Sequence, residues 1–246
     1  MRTCRLYCPD LQLGEVVLPA VEAHHATTAL RLGVGDAVHL FDGKGRHAAG
    51  VVAHAKRDTL RASVAKIHEA SGYDVPWRLM LAVAFPKAHR QGYLVEKCTE
   101  LGVAAIWPLI SERTVAKPGP RTLDRWRRRA VEAAKQSQRY WIPAIEPPAT
   151  VQQAIQRGQT NARRAFADTG AGGATFSEFL SNDANRPDIL VLIGPEGGWT
   201  DLEKEELRRG GYGSVTLGPT ILRTETAAVA VCAAMGALAK TEWDGR

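Results

Sequence analysis

Two short stretches towards the C-terminal end carry residue types that could do chemistry together. One is GPEGG (Gly194, Pro195, Glu196, Gly197, Gly198) and the other is LRTET (Leu222, Arg223, Thr224, Glu225, Thr226). Adjacent glycines and a proline cannot continue a strand, so the first stretch must turn with its backbone exposed. It offers amide donors, room for close approach and one carboxylate at Glu196. The second offers a guanidinium, a carboxylate and hydroxyls within five residues. Taken singly, each is also an ordinary strand–helix turn with polar decoration. Their joint occurrence is what points to a binding site.

The flanking elements say how these loops are held. DILVLI (188–193) is a short apolar run that reads as a strand buried on both faces, ending at Gly194. Thr200 stands three residues before Glu203, a capping box that starts the helix DLEKEELRR. SVTLG (214–218) reads as a second strand, and Thr224 is placed to cap a helix that is almost entirely Ala, Val, Leu, Cys, Met and Gly from Ala227 to Ala239. A helix apolar all round is a buried one. Two strand–turn–helix units therefore present both loops at one edge of a parallel sheet, which is where ligands bind in open α/β folds.

IGPEGGW followed by LGPTILRTETA closely resembles the two cofactor loops of the SPOUT methyltransferases that methylate N3 of a uridine in 16S ribosomal RNA. The resemblance implies an α/β, SPOUT-type C-terminal domain with a parallel sheet and a trefoil knot, preceded by a small PUA-like β-barrel. It implies S-adenosylmethionine as cofactor, held mainly by backbone groups of Gly194, Pro195, Glu196, Gly197, Gly198, Leu217, Gly218, Ile221, Leu222, Arg223, Thr224 and Ala227. Glu196 would offset the cofactor's positive charge. Arg223 and Glu225 are the catalytic candidates: Arg223 to stabilise negative charge developing on the uracil, Glu225 as general base or as the group that orients Arg223. An acid at a helix N-terminus has its basicity lowered, which weighs against the first role for Glu225. The family also implies a homodimer, 16S rRNA or the 30S subunit as partner, and a cytoplasmic location. No metal is expected, since Cys4 and Cys8 have no second ligand pair at zinc-site spacing.

The rest of the chain supports this organisation. CRLYC, GEVVLP, AVHLFDG, HAAGVVAHA and LRASVAKI read as short strands of a small barrel over residues 1–70. HHATTALRLGVGDAVHLFDGKG resembles the PUA-like RNA-binding domain of the same family, with Arg5 and Arg31 on its pattern. Residues 71–78 have the composition of a linker, and 79–246 form the second domain. There LMLAVAF, QGYLVEKCTELG and AAIWPLI alternate strand, helix and strand, with Gly102 as C-cap and Lys97 spaced to pair with Glu100. Cys98 and Cys232 fall in apolar helical patterns and read as core.

The segment 122–138 reads as a basic helix with Leu123, Trp126, Ala130, Ala133 and Ser137 on one face. Arg121, Arg125, Arg128, Arg129, Lys135 and Arg139 occupy others. Such a surface suits RNA phosphates, with Trp126, Tyr140 and Trp141 available to stack a base; a solvated helix over core aromatics is the alternative. Lys135 departs from the family, which usually has an acid at that point. DTGAGG (168–173) lacks the lysine of a P-loop and the spacing of a Rossmann turn. By position it matches a third cofactor-proximal loop of the family, so Phe166 and Ala167 are expected to border the ligand.

The chain's 246 residues, 24% charged and 45% apolar, fit a globular protein with a real core, and no apolar run approaches a membrane span. A net charge of +6 and a pI near 9.3 favour a polyanionic partner. Two other readings stay open: a SPOUT enzyme acting on a ribose hydroxyl or a guanine, and a non-catalytic ribosomal RNA-binding factor.

Overall fold

Buried and exposed positions alternate along RHAAGVVAHAK and TLRASV, as in strands of a half-buried sheet, with polar Arg61 and Ser63 outward in the second and Ala49, Val51 and Ala53 outward in the first. A computed structural model describes residues 4–70, 78–115, 119–158, 162–170, 172–181 and 188–237. Most of the expected linker, Ala171 of the DTGAGG loop, and Leu238 and Ala239 of the last helix lie outside them. The chain divides into two units, one of residues 1–74 with Val131–Ile142, the other of Val75–Ala130 with Pro143–Arg246.

The first unit holds β1 (Cys4–Tyr7), β2 (Gly14–Val17), α1 (Ala20–His24), β3 (Ala37–Phe41), β4 (Arg46–Lys56), β5 (Thr59–Val64) and β6 (His68–Glu69). The strands pair in the order β1-β3-β4-β5-β2, with β6 on β4. Side chains from β1 to β5 and α1 meet in one apolar cluster that includes Leu6, Val16, Leu40, Val52 and Leu60, so the sheet curls around its core as a barrel wall does. His24 ends α1, and His25 opens a single π-helical turn to Ala29. Beyond the expected 1–70, Val131–Ile142 also packs here. The reason is Tyr140, which joins Phe41 in a second cluster, while Trp141 lies so close to Gly45 that a Cβ there would collide with its ring. The amide of Gly45 donates to the carbonyl of Tyr140. Lys135, the departure noted in the sequence, is nearly buried and pairs with buried Glu22 at 3.0 Å. It neutralises a carboxylate that also accepts the amide of Tyr7.

The second unit holds β7 (Leu79–Ala84), α2 (Ala88–Glu100), β8 (Ala105–Ile110), α3 (Pro120–Gln136), β9 (Ala144–Ile145), β10 (Ala149–Thr150), α4 (Val151–Arg157), β11 (Arg163–Ala167), β12 (Ala174–Thr175), α5 (Phe176–Ser181), β13 (Ile189–Ile193), α6 (Asp201–Arg209), β14 (Gly213–Thr216) and α7 (Thr224–Ala237); the last part of α3 passes into the first unit. The sheet runs β10-β8-β7-β13-β11-β14-β12, with β9 on β8, and every pairing is parallel. β7 and β13 are buried at every position, as strands covered on both faces must be.

Three local expectations need correction. Helix α2 starts at Ala88, three residues earlier than its apolar spacing suggested, so Arg90 lies in its first turn. Helix α7 is buried on one side only: Ala228, Val231, Cys232 and Met235 are covered, whereas Ala233 and Ala237 are exposed. Its other alanine face is at most partly covered among the described residues. Finally, Trp126 is 1% exposed and stacks on Phe85 at 4.7 Å, and Tyr140 is 8% exposed, so both are core rather than surface aromatics.

In the first unit His39, His47 and His68 stack in a row, with Tyr140 on His47 at 4.0 Å. Burial, then the charge of Arg5 and the neighbouring histidines, pushes His39 down from 6.5 to about 4. The unfolded chain therefore binds a proton that the folded chain refuses between those values, so stability falls as pH drops from about 6.5 towards 4. His39→Leu is expected to flatten that part of the slope, checked by thermal melting of both proteins across this range.

Candidate functional site: three loops around a cavity

Because β11 sits between β13 and β14 in the sheet, three loops leave it side by side at the carboxyl edge. They follow Ala167, Ile193 and Thr216. Together they enclose a cavity of about 330 Å³, in the size range of small-ligand sites. Every cofactor residue expected from the sequence lines it except Arg223, whose exposed side chain stands outside the wall. Asp168, Thr169, Ile193, Trp199, Thr216, Pro219 and Thr220 line it as well, and were not in that set.

The turn Pro195–Gly198 is closed by the amide of Gly198 donating to the carbonyl of Pro195 at 2.9 Å. Gly198 has φ of +69°, which only glycine adopts without strain. Gly194 answers a different need. A Cβ there would lie 2.9 Å from the Trp199 ring, so the indole fits beneath the loop only because the side chain is missing. That indole is buried, donates its N–H to the carbonyl of Ala167 at 2.8 Å and meets Phe166 edge-on. Phe166 is thus core beneath the site and does not border the cavity, whereas Ala167 does. Arg113, from the loop after β8, donates to the carbonyl of Gly197 at 2.7 Å and steadies the turn from the side. The capping box of α6 forms as read, and Glu203 also accepts the amide of Glu112 at 2.9 Å.

Thr224 does not cap α7; it is the first helical residue. The first intrahelical bond runs from the amide of Ala227 to the carbonyl of Arg223, which puts Arg223 at the cap position. The Thr224 hydroxyl instead donates to the carbonyl of Gly194 at 3.1 Å, tying the LRTET segment to the GPEGG loop. Glu225, next along, is 6% exposed and faces α2. Its Oε1 lies 3.3 Å from Nη1 of Arg90, and its Oε2 is buried without a hydrogen-bond partner among the described residues. The partner of Glu225 is therefore Arg90, in the turn of α2 that precedes the expected start at Gln91. At the third loop, Asp168 pairs with Lys204 at 2.9 Å. No local sequence signal marks Arg113 or Lys204, since both meet the site through long-range packing.

Of the arginines singled out for RNA, Arg121, Arg125, Arg128 and Arg129 are exposed on α3 in the second unit. Arg125 reaches the amide oxygen of Gln91 at 3.2 Å, and Arg129 pairs with Glu96 at 3.1 Å. In the first unit Arg31 is exposed, with φ of +55°. Arg5 lies over the Phe41 and Tyr140 rings and donates to the carbonyl of Arg139. Arg139 is 4% exposed, so its guanidinium serves the interior of that unit and does not face solvent.

A parallel α/β sheet with a ligand cavity built by loops at its carboxyl edge, in one chain with a curled β-sheet unit, defines a ligand-binding α/β protein with an accessory β-domain. A family model described as an RNA methyltransferase domain matches residues 74–236, and one described as an RNA methyltransferase PUA domain matches 18–65. The chain belongs to the ribosomal RNA small subunit methyltransferase E family. It is 33% identical over 226 residues to the member from Synechocystis, covering 91% of this chain and 73% of that one. With the member from Mycobacterium bovis it shares 33% identity, covering 93% and 88%. The crystal structure of a family member from Neisseria gonorrhoeae bound to S-adenosyl methionine superposes with a TM-score of 0.86 at 29% identity, covering 96% of this chain and 98% of that chain. A methyltransferase from Legionella pneumophila, solved with bound cofactor, has the same score, identity and coverage.

Gly194→Val is expected to displace the Trp199 indole and shrink the cavity. Calorimetry with S-adenosylhomocysteine should then show affinity at least about tenfold lower, equivalent to roughly 1.4 kcal/mol of lost fit, with the circular dichroism spectrum unchanged.

Proposed function

We propose that this chain transfers a methyl group from S-adenosylmethionine to N3 of a uridine in the 16S RNA of the small ribosomal subunit. The observation that carries this is the tie between Thr224 and Gly194, which closes both motif loops around one cavity in a chain of this family. The lining suits the donor. Ile193, Leu222 and Ala227 supply apolar surface, loop backbone supplies polar groups, and Glu196 and Asp168 place carboxylates at a site for a cationic ligand. When bound there, S-adenosylmethionine supplies an electrophilic methyl on a sulfonium.

A uridine N3 carries a proton at neutral pH, so the chain must take that proton and stabilise the anion while aligning the ring. Arg223, at the cap of α7 and exposed beside the cavity wall, is the donor to the developing charge on the uracil oxygens. Glu225, one helical position on from Thr224, is the acceptor of the proton. Much of the rate gain comes from orientation, because both residues stand at the start of α7, the helix whose Thr224 and Ala227 line the cavity.

Arg121, Arg125, Arg128 and Arg129 form the phosphate-gripping surface of the second unit, and Arg31 offers a further phosphate contact from the first. The incompletely covered alanine face of α7, at Ala230, Ala233, Ala234 and Ala237, supports a homodimer in which a second copy packs there. Threading of the C-terminal segment into a trefoil knot, 16S rRNA or the 30S subunit as partner, and a cytoplasmic location complete the reading.

The decisive experiment incubates the protein with labelled S-adenosylmethionine and unmethylated 30S subunits, with nucleoside mass spectrometry of the product. The expected product is 3-methyluridine; a methylated ribose or guanine, or no product, overturns the reading. Arg223→Ala is expected to lower kcat by about 100-fold or more while leaving donor affinity within about twofold. Neutralising Arg125, Arg128 and Arg129 together should weaken RNA binding and lower its salt slope by up to about 3, read by filter binding from low to high salt.

A further inference from the structure

The three glycines of the GPEGG turn lack side chains for three different reasons. Gly198 has φ of +69° and nothing within 4 Å of where its Cβ would lie, so its backbone alone demands glycine. Gly194 leaves room for the Trp199 indole. Gly197 answers to neither need. Its φ lies outside the left-handed region, and the nearest atoms to a Cβ built there are Cδ and Cβ of Arg113, at 3.3 and 3.4 Å. An alanine would have to push that stem aside. Glycines in a ligand loop commonly let backbone approach the ligand. At Gly197 the missing side chain would point instead at Arg113, which does not line the cavity although Gly197 does.

Arg113 is itself held in place by its neighbours. It lies in the loop after β8, where the Ser111 amide donates to the Thr114 hydroxyl at 2.9 Å and the Thr114 amide donates back to the Ser111 carbonyl at 3.1 Å. The amide of Glu112 donates to Oε1 of Glu203 at 2.9 Å. The other oxygen of Glu203 accepts the amide of Thr200 at 2.9 Å in the capping box of α6. One buried carboxylate therefore fastens two backbones: the start of the helix that leaves the GPEGG turn, and the loop that carries Arg113. From that loop the Arg113 stem covers Gly197, and its Nη1 donates to the Gly197 carbonyl at 2.7 Å. The turn is thus held at two points, Gly194 by Thr224 and Gly197 by Arg113.

We infer that Arg113 is a positioning residue for donor binding: it fixes the Gly197 backbone from outside the cavity wall, and position 197 is glycine in order to seat its stem. This rests on the reading of the cavity as the S-adenosylmethionine site. Arg113 is suited to the task. A length of 2.7 Å is at the short end for such a bond, as a charged donor makes it. Its aliphatic stem packs over the bare Cα while the guanidinium stays at the surface, so one side chain supplies both the bond and the cover. A turn with two adjacent glycines has wide conformational freedom. Held by Arg113, it is ordered before the ligand arrives, and binding is stronger by the ordering it no longer requires. Because Arg113 does not line the cavity, its effect reaches the donor only through the shape of the turn. It therefore falls on affinity and not on the chemical step.

The test uses the full chain without RNA, with S-adenosylhomocysteine affinity by calorimetry, amide exchange of residues 196–198 and melting temperature measured on each variant. Arg113→Ala is expected to weaken binding about fivefold, the scale of one hydrogen bond to a charged group near the surface, and to speed exchange in the turn. The melting temperature of the free protein should not change. In turnover with unmethylated 30S subunits the donor KM should rise by the same factor, with kcat within about twofold. Gly197→Ala should weaken binding to a similar degree in the parent. Added to Arg113→Ala it should change affinity by less than about twofold, because the alanine then has room. A glycine kept bare for the donor's sake predicts equal loss in both backgrounds. That additive result would overturn the inference. So would unchanged affinity in Arg113→Ala, a fall in kcat with the donor KM unchanged, or a loss of affinity matched by a fall in melting temperature. A parent protein that binds no S-adenosylhomocysteine would instead remove the reading beneath it.

Discussion

The bond from the Thr224 hydroxyl to the Gly194 carbonyl joins two loops that are 30 residues apart in the chain. One such bond contributes only about 0.5–1.5 kcal/mol, yet it ties two walls of the cavity together. It works only because other constraints have already brought its ends together. The parallel pairing of β11 with both β13 and β14 sets the loops side by side, and the Trp199 indole, seated under a residue with no side chain, fixes the height of the first loop. Each constraint is weak alone. Together they leave the GPEGG turn one place to be.

Charge is handled in the same manner, by pairs placed where burial would otherwise be costly. Glu22 is neutralised by Lys135 in the first unit, Glu225 is faced by Arg90 in the second, and Asp168 at the cavity is faced by Lys204. The first is fully used, since the Glu22 carboxylate also accepts a backbone amide. The second is not, because one oxygen of Glu225 has no donor among the described residues.

Much of the architecture was legible in the residues. Continuous apolar runs such as DILVLI and LMLAVAF could only be strands buried on both faces, and the Thr200–Glu203 box marked a helix start that the structure reproduces. Nearly the whole cavity lining lay in two contiguous motifs, which is why a linear reading could name it. Boundaries were less legible. Apolar spacing, which starts at Tyr93, supports a helix from Gln91, whereas the helix begins at Ala88 and its polar His89 and Arg90 carry no periodic signal. Thr224 reads as a cap in sequence because a hydroxyl at a helix start serves its own backbone unless a distant carbonyl, here that of Gly194, competes for it.

By itself, the order of residues determined the two turns, their glycine requirement, the parallel sheet beneath them and the family to which they belong. These follow from local sterics and periodicity, which act over a few residues. Tertiary structure alone decided which groups meet: that β11 separates the two motif strands and adds a third loop, that Arg113 braces Gly197, that Arg139 turns inward, and that Glu225 answers to Arg90 and not to Arg223. Those pairings arise from strand order and helix packing between segments far apart in the chain, and no spacing along a single stretch of sequence encodes them.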